Sequence, residues 1–189
     1  TMAHLILASS SPRRKQLLEQ LNIAFEVYSP DIDETVQANE AIADYVERLA
    51  RHKAKTIQQQ FPQSVVLAAD TSVGVDQHIL AQPQSKAHAF EMWSALSGRK
   101  HQVYSGVCVC TATQCLSIVV CTEVEFQELS HNDMECYWAT GEPLGKAGAY
   151  AIQGIAAQYI PRIEGSYSNV VGLPLYETVQ LLKAVKVLN

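Results

Sequence analysis

The stretch Ser64-Val65-Val66-Leu67-Ala68-Ala69-Asp70-Thr71 decides the fold class. Its unbroken apolar run, Val65 to Ala69, reads as a strand covered on both faces. Such a strand needs helices above and below it, and the flanking sequence supplies them. Upstream, His4 to Ala8 reads as another short buried strand, followed by Ser9-Ser10-Ser11-Pro12 and a helical pattern from Arg13 to Leu21. Ser11 suits the N-cap and Pro12 the first helical position. Phe25 to Tyr28 predicts a strand, Ser29 to Asn39 an acidic loop, and Asn39 the cap of a long helix through about Gln60. Downstream, Val73, Val75, Ile79 and Leu80 predict a small hairpin with Asp76 to His78 at its tip. Ser85 caps a helix ending near Ser97-Gly98, and β-rich runs follow at Gln102 to Ala112 and Leu116 to Leu129. Ser130 caps a short helix to about Trp138; Gly141 to Gly154 is glycine-rich and irregular. Gln158 to Ile163 reads as a strand and Leu173 to Val187 as the last helix. Alternating strands and helices predict an α/β fold with a mixed sheet.

The 189 residues fit a single domain, 1–189, of two lobes sharing one core. A hydrophobic content of 48% excludes intrinsic disorder. Lys plus Arg total 14 against 19 Asp plus Glu, a net charge of −5, which excludes a nucleic-acid binder relying on bulk positive charge. An anionic ligand must therefore be held by a local pocket. No apolar run approaches the roughly 18 residues of a membrane span, and Leu5 to Ala8 is too short for a signal peptide. The expectation is a cytoplasmic protein without a membrane partner; Thr1 before Met2 reads as a tag remnant. The five cysteines, Cys108, Cys110, Cys115, Cys121 and Cys136, include no C-x-x-C pair and are expected to be reduced, mostly buried thiols. Gly141 to Ala147 imitates a P-loop but is one residue short between its glycines and carries Ala147 where a metal-binding hydroxyl belongs. G-x-G-x-x-G and G-x-S-x-G motifs are absent, so neither a dinucleotide fold nor a serine hydrolase is supported.

Several residues carry chemistry. Ser9, Ser11 and Arg13 stand where a strand runs into a helix start, a place that favours an anion. Lys53 falls on the apolar face of the long helix, between Leu49 and Ile57, and an inward lysine needs a carboxylate or an anionic ligand. Asp70 follows the buried run and can hold a metal or act as a base; Glu34, in Asp31-Ile32-Asp33-Glu34-Thr35, offers a second carboxylate. Lys146 lies among small residues that let backbone approach a ligand, and Gln153 has the donor and acceptor to read a base edge.

These segments in order resemble the Maf family of nucleoside triphosphate pyrophosphatases. The matching pieces are Leu7-Ala8-Ser9 through Ser11-Pro12-Arg13-Arg14, Asp31 to Glu34, Arg48-Leu49-Ala50 with Lys53-Ala54, and Ala69-Asp70-Thr71. Leu96-Ser97-Gly98, Lys146 to Gly154 and Gly165 to Leu175 complete them. The resemblance implies an α/β Maf fold similar to inosine triphosphate pyrophosphatases, with a cleft between two lobes and a homodimeric assembly. It implies hydrolysis of a nucleoside triphosphate to monophosphate and pyrophosphate with Mg²⁺ or Mn²⁺. The family's base aligns with Asp70 and its specificity positions with Arg13, Thr71 and Gln153, matching the branch that acts on dTTP and UTP. Glu34 and Asp70 are the implied metal ligands, with Arg13 and Lys53 neutralising phosphate charge. The family usually has Lys-Pro where this chain has Gln82-Pro83, a phosphate contact that Lys86 is placed in sequence to replace; Ser105 stands where Thr is common. The alternative is a nucleotide-binding regulator of septum formation with little turnover.

Overall fold

A computed structural model describes residues 4–189; Thr1 and Met2, and with them the tag reading, lie outside the described residues. The strands are β1 (Leu5–Ala8), β2 (Glu26–Tyr28), β3 (Val65–Val75), β4 (His78–Leu80), β5 (Lys100–Cys110), β6 (Cys115–Glu125) and β7 (Arg162–Glu164). The helices are α1 (Pro12–Glu19), α2 (Ile42–Gln60), α3 (Lys86–Leu96), α4 (His131–Ala139), α5 (Tyr167–Val171) and α6 (Leu175–Ala184), with 3₁₀ turns at Ala147–Ala149 and Ile155–Tyr159. One sheet runs β2-β1-β3-β5-β6-β7, with β4 also on β3. β1 is parallel to β2 and β3; the other pairings are antiparallel. The mixed α/β sheet is as expected.

β3 organises the molecule. It runs 11 residues to Val75, well beyond the apolar run Val65 to Ala69 by which the sequence marks it. The polar Thr71-Ser72 looked like a strand end, yet β5 pairs straight through it, from Val66↔Cys110 to Gly74↔Gln102. The other edge of β3 is shared. β1 pairs with Val65 to Leu67 and β4 with Val73 to Val75. Between them, Ala68 to Ser72 have no strand neighbour on that edge among the described residues. Asp70 sits in the middle of this gap.

The strand's alternation sends its side chains to two different covers. One face, including Ile6, Ala8, Val66, Ala68 and Cys108, packs under Ala50, Ala54 and Ile57 of α2. At Gly106 a Cβ would lie 2.4 Å from the Val46 carbonyl oxygen, so α2 rests directly on β5 backbone there. The opposite face carries two clusters. Leu7, Leu67 and Val107 pack with Leu17, Leu18 and Leu182; farther along, Val73 and Val103 pack with Ala89, Trp93 and Tyr137. The gap lies where one cluster gives way to the other.

Local signals mostly place the helix starts. Ser11, Ser85 and Ser130 cap α1, α3 and α4, and Ser130 forms a capping box with Asp133. Asn39 is the exception: it turns with φ of 58°, and Ala41 precedes α2 without a side-chain cap bond. The hairpin tip is Asp76-Gln77 alone, both at positive φ (49° and 66°), as a type I′ turn requires; His78 already belongs to β4. The strand expected at Gln158 to Ile163 is a 3₁₀ turn followed by β7, which pairs with β6 at Glu125↔Arg162. The last helix is shorter than expected, Leu175–Ala184, and the short helix α5 precedes it, the two separated by Gly172 (φ 136°) and Pro174. The cysteine expectation is also corrected. Cys110 and Cys115 oppose each other in the β5–β6 register and form a disulfide, while Cys121 and Cys136 are exposed.

Candidate active site

The sheet gap opens into a cleft of about 600 Å³. Its walls come from the α1 start, the Glu34 loop, α2, β3, the segment after β4, and the loops around Lys146–Gln153 and Gly172. Lys53 bridges two carboxylates: its Nζ lies 3.0 Å from Asp70 Oδ1 and 3.0 Å from Glu34 Oε1. Asp70 is buried, at 8% exposure. Burial raises its carboxyl pKa above the ordinary value, and the charges of Lys53 and Arg14 pull in the opposite direction. The Glu34 side chain is more than half exposed, and its backbone carbonyl accepts a hydrogen bond from the Tyr45 hydroxyl.

On the opposite face of β3, Thr71 Oγ1 accepts from Arg14 Nη2 at 3.1 Å and shares a 2.7 Å hydrogen bond with Ser105 Oγ. Arg14 Nε donates to the Gly172 carbonyl at 2.7 Å. Burial lowers the Arg14 pKa, while Asp70 and Glu34 work to raise it. The sequence carries no signal that singles out Arg14: it and Arg13 both follow the helix start, and nothing local says which of two adjacent arginines turns inward. The Gly172 partner is 158 residues away.

The cleft gathers Arg13, Lys53, Asp70, Thr71, Gln82, Lys146, Gln153 and Glu34, together with Ser11. Ser9 stands behind this wall: it is buried, its N–H donates to the Tyr28 carbonyl, and its hydroxyl accepts from the Ser11 N–H at 3.0 Å. Ser10 and Ser11 form the surface. Arg13 has no carboxylate partner among the described residues, and partial burial lowers its pKa. Lys146 Nζ donates to the Glu142 and Leu144 carbonyls; burial first, then Arg13, lowers its pKa. Arg13, Arg14, Lys53 and Lys146 outnumber Glu34 and Asp70, so the cleft is an electropositive pocket on an acidic chain. Lys86 does not join them: it pairs with Glu135 at 2.7 Å and does not line the cleft.

The donor set suits a hard cation. Glu34 and Asp70 reach the same ammonium, so their oxygens converge, and Mg²⁺ or Mn²⁺ sites commonly take one or two carboxylates with phosphate and water completing the shell. No thiol or imidazole lines the cleft to favour a softer ion.

The family description "Maf-like protein" matches residues 4–185. The chain belongs to the Maf family. A dTTP/UTP pyrophosphatase of Acinetobacter baylyi is 67% identical to this Maf chain over 183 residues, covering 97% of it and all of the relative. A dTTP/UTP pyrophosphatase of Vibrio parahaemolyticus is 49% identical over 180 residues, covering 95% of each. The Maf fold here is similar to the Ham1 protein of Staphylococcus aureus, with a TM-score of 0.55, 13% identity, and 96% and 97% of the two chains covered. That likeness concerns the fold alone. Among the described residues no helix of the Maf chain is long and apolar enough to cross a membrane.

Proposed function

We propose that this Maf chain hydrolyses nucleoside triphosphates, dTTP and UTP preferred, to the monophosphate and pyrophosphate. The carrying observation is Asp70: a buried carboxylate in an electropositive cleft, with its pKa raised by burial and its charge steadied by Lys53 and Arg14. A raised carboxyl is a better base at neutral pH than a free one. Asp70 accepts the proton of a water that attacks the α-phosphorus. Arg13, Lys53 and Lys146 oppose the negative charge that gathers on the departing pyrophosphate. Glu34 and Asp70 would hold Mg²⁺ or Mn²⁺, which when bound neutralises phosphate charge and acidifies water.

Gln153 makes no hydrogen bond within the described protein and is free to meet a pyrimidine edge. Thr71 serves specificity through its neighbours. Its hydroxyl has protein partners, so it contributes to specificity by fixing Arg14. The reading includes one domain, a homodimer and a cytoplasmic place of action, all supported by the family likeness. Pyrophosphate release from dTTP, UTP, CTP, GTP, ATP and 7-methyl-GTP, with Mg²⁺ and with Mn²⁺, tests it. Turnover confined to dTTP and UTP is expected. Nucleotide binding without release would replace this reading with a regulator of septum formation, for which the uncharged Gln82 in the cleft is the favouring observation.

A further inference from the structure

Away from the cleft, the far end of the β5–β6 hairpin gathers three sulfurs. Cys110 and Cys115 face each other across the two strands, their Cα atoms 4.1 Å apart, and are joined as a disulfide. Cys108, two residues earlier on the same face, holds its Sγ 3.7 Å from that of Cys110. All three sulfurs lie within 4.8 Å of one another, with no His, Asp or Glu belonging to the cluster among the described residues. Cys108 and Cys110 are fully buried and Cys115 is half-buried, which leaves one approach from solvent. The wall above is apolar: Ala50, Ala54 and Ile57 of α2.

We propose that Cys108, Cys110 and Cys115 form a three-sulfur site which, once its disulfide is reduced, binds the soft cation Cu(I). Thiolates select soft ions, and structural zinc asks for four ligands. Here the apolar wall offers no fourth, and Ser117, the register partner of Cys108, already bonds Arg51 and Glu47. Low-coordinate Cu(I) is satisfied by three sulfurs. Nearby cations offset part of the charge. Three thiolates around Cu(I) leave two negative charges; the side chains whose charge reaches Cys108 are Arg51 and Lys55, opposed by Glu47, all on α2. Opening requires a dithiol reductant. Its thiolate attacks Cys115 Sγ, the accessible sulfur, and the Cys110–Cys115 bond breaks. The resulting mixed disulfide is resolved by the second reductant thiol. Cys110 and Cys115 leave as thiols, the reductant as a disulfide, and Cu(I) binding then releases the thiol protons to water.

The inference does not rest on the pyrophosphatase reading, and its test reads copper, not turnover. The intact chain is reduced anaerobically with dithiothreitol, freed of it, and titrated with Cu(I) against bicinchoninate, following copper–thiolate absorption in the ultraviolet. A single Cu(I) withheld from the chelator per reduced chain is expected, with none withheld by the disulfide form. Cys108→Ala and Cys115→Ser should each lose that copper, whereas the double variant Cys121→Ser/Cys136→Ser, at the exposed thiols, should retain it. Melting temperatures of the metal-free variants separate lost binding from lost folding. Where Cys108→Ala fails to fold, Cys115→Ser, whose hydroxyl replaces a half-buried sulfur, carries the same test. Copper retained by Cys108→Ala, copper that follows Cys121 and Cys136, equal binding by the oxidised chain, or Zn²⁺ held where Cu(I) is not would each overturn the proposal.

Discussion

Asp70→Asn separates chemistry from architecture. The amide cannot take up the proton of an attacking water, and loss of a general base lowers turnover by about 10²–10⁴-fold. At 1.36 kcal/mol per decade, that is about 3–5 kcal/mol of barrier. The structural cost is far smaller. Removing one partner of a buried pair usually costs about 3–5 kcal/mol because a buried charge is left unpaired. Lys53 is not left so: Glu34 stays 3.0 Å away, and the amide oxygen still accepts from Nζ. The change also removes the desolvation cost of the Asp70 charge, so the net effect on stability falls within about 1 kcal/mol. For a chain of this size that is a melting shift of no more than about 4 °C. The pH dependence gives an independent sign. Burial raises the Asp70 carboxyl above its ordinary 3.8, so the folded state holds that proton more tightly than the unfolded chain. The stability this group contributes is full below 3.8 and is lost as pH rises through the folded value. Without divalent cation, the melting temperature of Asp70→Asn should therefore gain on wild type across that rise. Pyrophosphate release with dTTP and calorimetric melting at a series of pH values supply both readouts. Turnover within about tenfold of wild type would refute the base assignment. A melting loss large enough to account for the inactivity would show Asp70 to be structural.

Gln82→Lys adds a cation to the phosphate side of the cleft and should raise kcat/KM for dTTP by about tenfold, or 1.4 kcal/mol; steady-state kinetics showing no gain would remove Gln82 from the phosphate path. Gln153→Glu replaces the amide donor with a carboxylate and should lower kcat/KM for dTTP and UTP by about 1–3 kcal/mol while sparing melting temperature. An unchanged substrate panel would make Gln153 structural. Gly106→Ala drives a methyl into the Val46 carbonyl and should destabilise by about 1–3 kcal/mol in a denaturant titration, lifting the helix that carries Lys53 and costing activity as well. Native stability in that variant would contradict the close seating of α2.

What the sequence discloses here is mostly local. Ser11 before Pro12, Ser85, and Ser130 with Asp133 announce helix starts because a cap is a bond between near neighbours. Lys53 among Leu49, Ala54 and Ile57 betrays its inward direction through periodicity, and the structure gives it two carboxylates. What stays hidden depends on partners far along the chain. β3 continues past Thr71 because β5 pairs with it, and that register is set by residues about thirty positions away. Arg14 is fixed by Gly172 and Thr71, which no local pattern connects to it. The disulfide is a nearer failure. The sequence reading begins the second β run at Leu116, which leaves Cys115 in a loop, whereas the ladder starts one residue earlier and places it opposite Cys110.

The open edge of β3 explains how consecutive residues serve one cleft. Alternation along a strand sends Asp70 towards α2, where Lys53 meets it, and Thr71 to the other face, where Arg14 and Ser105 meet it. In a fully paired sheet, residues on opposite faces cannot share a ligand, because neighbouring strands separate them. Here β1 ends its pairing at Leu67 and β4 begins at Val73, so nothing stands beside Ala68 to Ser72 on that edge. A ligand lying across the edge reaches both faces at once, with the cation and carboxylate pair on one side and the Arg14 network on the other. The break in pairing thus does the work that a strand terminus does in doubly wound α/β sheets, where ligands sit at the point of changed strand neighbours. It also accounts for the length of β3: the part beyond Asp70 is needed to carry β4 and the second hydrophobic cluster, which form the far wall of the cleft. Shortening the strand to the end its sequence suggests would leave Asp70 buried on one side and without a site on the other.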